Sequence, residues 1–371
     1  MGDEFRFADE LGPLKLVHIW RPAAGLKAVV AIDNVACGPA VGGVRMAPDV
    51  SAEEAFRLAR AMTLKNAAAG LPHGGGKSVI FADPKMPRAD KERLIRAFAA
   101  AIADIVDYIP GPDMGTDELA MGWIKDETGR AVGLPREVGG IPLDEIGATG
   151  FGLAAAVEVA TEHIGMPLSG ARVVIQGFGS VGKHAARLLA EKGTVLVGAS
   201  DSQGTIADDN GLDVPALIAL KEKGQPLRAH SRGRKLGQDA IIDIPCDIWI
   251  PAARPDVINA GNVARLHTRL VAQGANIPCT AEAEETLARR NVLVLPDFIA
   301  NAGGVICAAI EYQRGTEAAA FAAIDEKIRA NTRAVLKSVR EEGVLPRTAA
   351  LSLAKARVNS AMQTRRWEHA E

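Results

Sequence analysis

Gly177-Phe178-Gly179-Ser180-Val181-Gly182 is the stretch whose reading decides the fold. A bare G-x-G-x-x-G is a weak signal. Here it follows an apolar strand-like run, Arg172–Gln176, and opens a helix-like run, Val181–Lys192. A second strand, Thr194–Ser200, leads to Asp201, which lies 19 residues after Gly182. Gly177 then allows the tight turn, Gly179 lets a pyrophosphate approach the backbone, and Gly182 packs helix on strand. The backbone N–H groups of Phe178, Ser180 and Val181 belong to the same loop and helix N-terminus, where free donors and the helix dipole favour phosphate. A carboxylate at Asp201 bonds both ribose hydroxyls and repels a 2′-phosphate, which favours NAD over NADP. Ser202 beside it is able to help hold a phosphate. Further strands at Cys246–Ile250, Arg269–Ala272 and Val292–Leu295 extend a doubly wound parallel sheet.

Upstream, the chain alternates differently. Two strand-like runs, Leu14–Trp20 and Lys27–Asp33, precede a glycine-rich turn, Gly38–Gly43. Ser51-Ala52-Glu53-Glu54 fits a capping box and opens a helix to about Ala69, which Gly70-Leu71-Pro72 ends. A short strand, Ser78–Ala82, and a helix from about Arg88 to Val106 follow, so this part is α/β as well. Gly129–Gly150 is dense in Gly and Pro and reads as the hinge between domains. From Asn301 onward the chain reads as Ala-rich helix with a break at Gly343-Val344-Leu345-Pro346. The expected organisation is residues 1–140 for substrate and oligomerisation, 145–310 for the dinucleotide, and helices over 311–371 returning to the first domain.

Length and composition agree. At roughly 150 residues per domain, 371 residues make two domains. Hydrophobic residues are 48% and charged residues 24%, ordinary for a globular protein. A net charge of −2 provides no field for nucleic acid or an anionic membrane, and 4% aromatics provide no base-stacking surface. The longest charge-free run, Phe298–Ile310, has 13 residues, against about 20 for a bilayer span. The start, Met1–Arg6, has no basic segment followed by an apolar one, so no secretory signal is expected. Four scattered cysteines without a C-x-x-C pair fit free thiols in a reducing cytoplasm, and no His/Cys/Asp spacing suggests a metal.

Three side chains stand out for chemistry. Lys77 follows three glycines, which let backbone come close to a ligand. Partial desolvation or a neighbouring cation brings a lysine towards neutrality and makes it a base; Lys65, late on the preceding helix, is a candidate for that cation. Asp113 sits isolated in Gly111-Pro112-Asp113-Met114-Gly115-Thr116, where a turn or cap role is the plain alternative. Spacing alone does not bring the three together. Gly70–Ser78 misses a P-loop, because Leu71 stands where the first glycine belongs and the segment runs from helix to strand. His73 reads as a turn histidine bonded to backbone.

Taken in order, Gly38–Arg45, Lys65, Pro72–Ser78, Pro112–Thr116, Ala148–Gly150, Gly177–Gly182, Gly274–Asn276 and Asn301–Val305 resemble the motifs of the glutamate, leucine, phenylalanine and valine dehydrogenases. The resemblance covers nearly the whole chain. It implies a substrate and oligomerisation domain, a Rossmann domain, and reversible NAD(P)-dependent oxidative deamination of an L-amino acid to a 2-oxo acid and ammonium by a homo-oligomer. It further implies that Lys65 pairs with the substrate α-carboxylate and that Lys77 activates water and stabilises the carbinolamine. Asp113 would exchange protons with the substrate amine, Thr149 and Asn276 would stand on the nicotinamide side, and Asn301 would bind the cofactor.

The same resemblance bears on the substrate. Glutamate enzymes carry a lysine 24 residues before the carboxylate-binding lysine; here that position is Val41, followed by Gly42 and Gly43. A glutamine three residues before that lysine is here Met62, and a serine seven residues after the first NAGG asparagine is here Ala308. A γ-carboxylate among Val41, Met62 and Ala308 would meet no cation, which costs several kcal/mol. The expectation is an apolar substrate side chain such as Leu, Val, Ile, Met or Phe. Ser200–Gly204 looks more like the glutamate branch. Glutamate, or a non-catalytic sensor role, is the alternative; retention of Lys65, Lys77 and Asp113 together argues against the sensor.

Overall fold

A computed structural model describes residues 5–364. Met1–Glu4 and residues 365–371, on which part of the N-terminal and tail readings fall, lie outside the described residues. The chain divides into two compact units. One holds the chain up to Pro142, Val305–Ala320 and the residues from Leu351; the other holds Leu143–Gly304 and Phe321–Ala350.

The first unit is built on β1 (Lys15–Arg21), β2 (Leu26–Asn34), β3 (Ala40–Ala47), α1 (Ala52–Ala68), β4 (Gly74–Phe81), α2 (Arg88–Ala101), β5 (Tyr108–Pro112) and α3 (Glu118–Thr128). Its sheet has the order β1-β2-β4-β3-β5, with β3, β4 and β5 parallel to one another. Strand periodicity splits β2 between two cores. Ala28, Val30 and Ile32 pack with Phe98 of α2, Ile102 just after it, and Met121 and Ile124 of α3. Val29 and Ala31 pack with Ala55 and Ala59 from α1. Helix α1 starts as the capping box requires, with the Ser51 hydroxyl accepting from the Glu54 N–H at 3.1 Å.

Two glycine segments differ from the reading of them as turns. Gly42 and Gly43 lie inside β3, and Gly74, Gly75 and Gly76 begin β4. The cause is close strand packing, because a Cβ on Gly42 would stand 1.6 Å from the Gly76 carbonyl oxygen. Helix α2 also stops at Ala101, short of the expected Val106.

The second unit runs through α4 (Ala148–His163), β6 (Arg172–Gln176), α5 (Ser180–Glu191), β7 (Val195–Asp201), β8 (Gly204–Ala207), α6 (Val214–Glu222), β9 (Arg234–Leu236), β10 (Ile248–Pro251), β11 (Leu270–Ala272), α7 (Ala281–Arg289), β12 (Leu293–Leu295) and α8 (Asp297–Ala300). The sheet order is β12-β11-β10-β6-β7-β8-β9. The first five are parallel, as expected of a doubly wound sheet. The antiparallel pair β8 and β9 at the edge departs from the all-parallel expectation.

Helices α9 (Gly303–Tyr312), α10 (Glu317–Glu342) and α11 (Pro346–Thr364) close the described chain. The tail over 311–371 does not return as one piece to the first unit: Phe321–Ala350 belongs to the second. Ile324 and Ile328 of α10 lie 3.3 Å from where a Gly152 Cβ would stand, so the glycine admits the helix onto α4. No helix among the described residues is long and apolar enough to cross a membrane.

Candidate active site

In the first unit, strand geometry gathers the reactive side chains. Opposite residues of neighbouring strands share a face, and each strand alternates faces. The register pairs Val41 with Gly75 and with Ile109, and Gly43 with Gly111. Val41, Gly43 and Arg45 of β3, Gly75 and Lys77 of β4, and Ile109 and Gly111 of β5 therefore share one face, the one α1 covers. Asp113 follows directly on β5.

The contacts agree. Lys77 donates to a carboxylate oxygen (Oδ2) of Asp113, and both side chains are largely buried. Arg45 approaches the other Asp113 oxygen at 3.4 Å and is itself held by Glu54 of α1 at 2.5 Å. The Met114 N–H donates to Asp113 Oδ1 at 2.6 Å. Gly43 makes room for this pair: a Cβ there would lie 2.7 Å from the Asp113 Cβ. Gly75 likewise lets α1 settle, since its Cβ would stand 2.1 Å from the Thr63 backbone nitrogen.

Burial pushes the Lys77 ammonium below the usual lysine range, and the Arg45 charge acts in the same direction against the pull of Asp113. For Asp113, burial works upward, but the Lys77 charge and bond outweigh it and hold the carboxyl below its ordinary value. The pair thus sets a carboxylate favoured in its charged form beside an amine whose charged form is disfavoured by burial.

Sequence reasoning missed the role of Arg45. It is a cation beside the Lys77–Asp113 pair that lowers the Lys77 pKa, the part for which Lys65 was a candidate. The period-two repeat along β3 was the available signal, hidden by reading Gly42–Gly43 as a turn. Lys65 and Met62 lie half-buried on α1, on the Lys77 side of the sheet. Val41 packs with Ile109, Val132 and Ala308 in one buried apolar cluster, so α9 brings Ala308 to the sheet. His73 bonds to backbone through Nδ1 and the Pro39 oxygen at 3.2 Å.

The second unit meets the requirements of a dinucleotide. Gly177 has φ +96°, which L side chains rarely adopt, and its Cβ would stand 2.7 Å from Ala253. A Cβ on Gly182 would stand 2.0 Å from the Gly177 oxygen, so helix and loop touch there. Gly179 alone of the three faces open space. No side chain caps α5, so its first N–H groups keep their capacity for an anion. Phe178 is buried, and Val181 lies against Gly274. The Ser180 hydroxyl donates to the Asp144 carbonyl at 2.8 Å.

Asn276 and Asn301 come together. Asn301 Nδ2 donates to Asn276 Oδ1 at 2.9 Å and to the Ala275 oxygen at 3.2 Å. Thr149 Oγ1 lies 3.1 Å from where a Gly304 Cβ would be.

Asp201 is more committed than expected. Its Oδ2 accepts from Lys221 Nζ at 3.0 Å and the Leu227 N–H at 2.9 Å, and its Oδ1 from the Gln203 N–H at 2.9 Å. Burial opposes its ionisation, yet these donors hold its carboxyl below the ordinary value. Lys221 and Leu227, distant in sequence, were not legible as its partners. Ser202 is exposed.

A buried lysine–aspartate pair in one unit and a glycine-turn dinucleotide sheet in the other fit a nicotinamide-dependent amino-acid dehydrogenase, acting on a CH–NH2 group, and the comparisons with known proteins show that class. Residues 139–366 match the model of the Glutamate/Leucine/Phenylalanine/Valine dehydrogenase family, and residues 15–130 match that of the Glu/Leu/Phe/Val dehydrogenase dimerisation domain. The chain belongs to this family. It is 38% identical over 358 residues to a glutamate dehydrogenase of Aeropyrum pernix, covering 90% of this chain and 85% of that protein. It is 38% identical over 293 residues to an NADP-specific glutamate dehydrogenase of Saccharolobus shibatae, covering 75% of this chain and 69% of that protein. The L-tryptophan dehydrogenase structure from Nostoc punctiforme superposes with TM-score 0.75 at 27% identity, covering 95% of this chain and 97% of that one.

Proposed function

We propose that this dehydrogenase oxidatively deaminates an L-amino acid with an apolar side chain. The observation that carries this is the cluster Val41, Ile109, Val132 and Ala308 on the sheet face that bears Lys77 and Asp113. None of these four side chains carries a charge to meet a substrate carboxylate. Lys65 pairs with the α-carboxylate. Asp113 takes the proton of the substrate ammonium, because hydride leaves Cα readily only when the nitrogen is neutral. Bound NAD(P) supplies the hydride acceptor, held by the Gly177–Gly182 turn with Thr149, Asn276 and Asn301. Lys77 then removes a proton from the water that adds to the iminium carbon and stabilises the carbinolamine.

Glutamate is the second reading, favoured by the names of the curated relatives. NADH and NADPH formation at alkaline pH across a panel of L-amino acids separates the two. Activity with Leu, Val or Phe and not with Glu supports the proposal. Activity confined to Glu overturns it.

Arg45 carries a pH prediction. Its charge lowers the Lys77 pKa. Arg45→Gln therefore raises that pKa, leaves Lys77 protonated to higher pH, and moves the ascending limb of kcat/KM for deamination upward. An unmoved limb would remove Arg45 from the proton chemistry.

For the cofactor the proposal is NAD, supported by the ionised Asp201 at the end of β7. Lys221 sits against that carboxylate and weakens its repulsion of a 2′-phosphate. Asp201→Ala should shift the NAD/NADP ratio of kcat/KM about tenfold towards NADP, and Lys221→Ala should shift it towards NAD, tenfold being about 1.4 kcal/mol. Unchanged ratios in both would mean the ribose is read elsewhere. A homo-oligomer is proposed on the match to the dimerisation domain. Cytoplasmic residence is proposed on the free cysteines.

A further inference from the structure

We propose that Arg347, acting through Asp297, is a positioning residue for the loop Gly274–Ile277 that carries Asn276. The inference rests on the reading of Asn276 as a nicotinamide-side residue.

The loop is held in a costly shape. Ile277 has φ +47°, a conformation that β-branched residues avoid. Asn276 and Ile277 are both exposed, so no burial of their side chains explains the shape. Such strain persists only where the surroundings over-determine it. Besides the backbone bonds of the Gly274 and Ala275 N–H groups to the Pro251 oxygen and of the Asp256 N–H to the Ile277 oxygen, two side chains anchor the loop. Asn301 bonds the loop from one side, through the Ala275 oxygen and the Asn276 side chain. From the other side the Ile277 N–H donates to Asp297 Oδ2 at 2.9 Å.

Asp297 is buried, at 5% exposure, and its charge has one cation within ion-pair distance among the described residues. That cation is Arg347, whose Nη1 stands 3.0 Å from Asp297 Oδ1. The same guanidinium is gripped by Glu284 at 2.8 and 2.7 Å and by Gln273 Oε1 at 2.9 Å. Gln273 in turn donates to Glu284 at 2.7 Å and accepts from the Asp297 N–H at 3.2 Å. Gln273 immediately precedes the loop. One guanidinium therefore orders both the residue before the loop and the carboxylate at its end. The fork geometry of arginine suits this double hold, which a lysine would not reproduce.

The test measures NADH affinity by fluorescence titration, kcat at saturating cofactor, thermal unfolding, and amide exchange of the 273–279 peptide without cofactor. Arg347→Met and Asp297→Asn should each weaken NADH binding about tenfold and speed exchange of that peptide. Asp297→Asn keeps the side chain's size, so it reads out the charge even where Arg347→Met fails to fold. Glu284→Gln removes the partner of Arg347 that does not touch the loop. It should lower the unfolding temperature and leave NADH affinity within about threefold. Equal loss of affinity in Glu284→Gln, or wild-type affinity and exchange in Asp297→Asn, overturns the proposal. Asn276→Ala distinguishes the two readings. If it weakens binding while Arg347→Met and Asp297→Asn do not, the positioning role alone falls. If Asn276→Ala leaves affinity and kcat unchanged, the reading of Asn276 falls and the proposal with it.

Discussion

Replacing Lys77 by alanine is expected to lower kcat for deamination by about a thousandfold, within the usual span for loss of one general acid–base group. NADH affinity should stay within about threefold, because the residues that fit the dinucleotide lie in the other unit. Lys77 is 6% exposed, and its amine bonds to Asp113. Its removal leaves Asp113 with Arg45 as its remaining ion-pair partner among the described residues, at 3.4 Å. Without the Lys77 charge and bond, burial at Asp113 is opposed mainly by Arg45 and the Met114 N–H, so the Asp113 pKa rises and the loss falls on the carboxylate as well as on water activation. Isotope effects sharpen the test. Solvent isotope sensitivity should rise in the variant as proton transfer becomes limiting, while the effect of deuterium at Cα shrinks. Retention of a tenth or more of wild-type kcat would overturn the role given to Lys77.

The second large effect concerns the substrate. A charged γ-carboxylate set against Val41, Ile109, Val132 and Ala308 is met by none of these four side chains, and burial without a partner costs several kcal/mol. Even about 2.7 kcal/mol of that cost means a hundredfold preference in kcat/KM for leucine over glutamate. The double variant Val41→Lys with Ala308→Ser supplies a cation and a hydroxyl at the two positions, and is expected to reverse the preference. The single Val41→Lys should also lower stability, since Val41 is 7% exposed and the substitution buries an ammonium in place of an apolar side chain. Glutamate should then raise the melting temperature of the double variant and leave that of the wild type unchanged. If the wild-type protein already prefers glutamate, the enzyme class stands and the pocket reading does not.

Local signals were read well where the physics is local. The capping box at Ser51 works through residues three apart, and the Gly177–Gly182 turn through six consecutive residues. Both announce themselves because backbone conformation and hydrogen bonding are settled within a turn or two. The glycines of β3 and β4 misled for the complementary reason. Glycine permits a turn, but it is also what a strand needs when another backbone or a catalytic side chain presses against it, and composition does not separate the two. Gly42 answers to Gly76, and Gly43 to Asp113.

By itself, then, the sequence determined the two α/β domains and the dinucleotide turn, and it marked Lys77 and Asp113 as candidates. Their residue types, spacing and motif order are local facts. Only the tertiary structure decided that Arg45 is the second cation beside Asp113, that Lys221 and Leu227 occupy Asp201, and that Phe321–Ala350 stays with the second unit. It also decided that Ala308 meets Val41 and that Arg347 reaches Asp297. Each of these joins residues 20 or more positions apart. A contact of that kind exists only once strand register and helix packing have set both ends in place, and no residue type at either end specifies its partner.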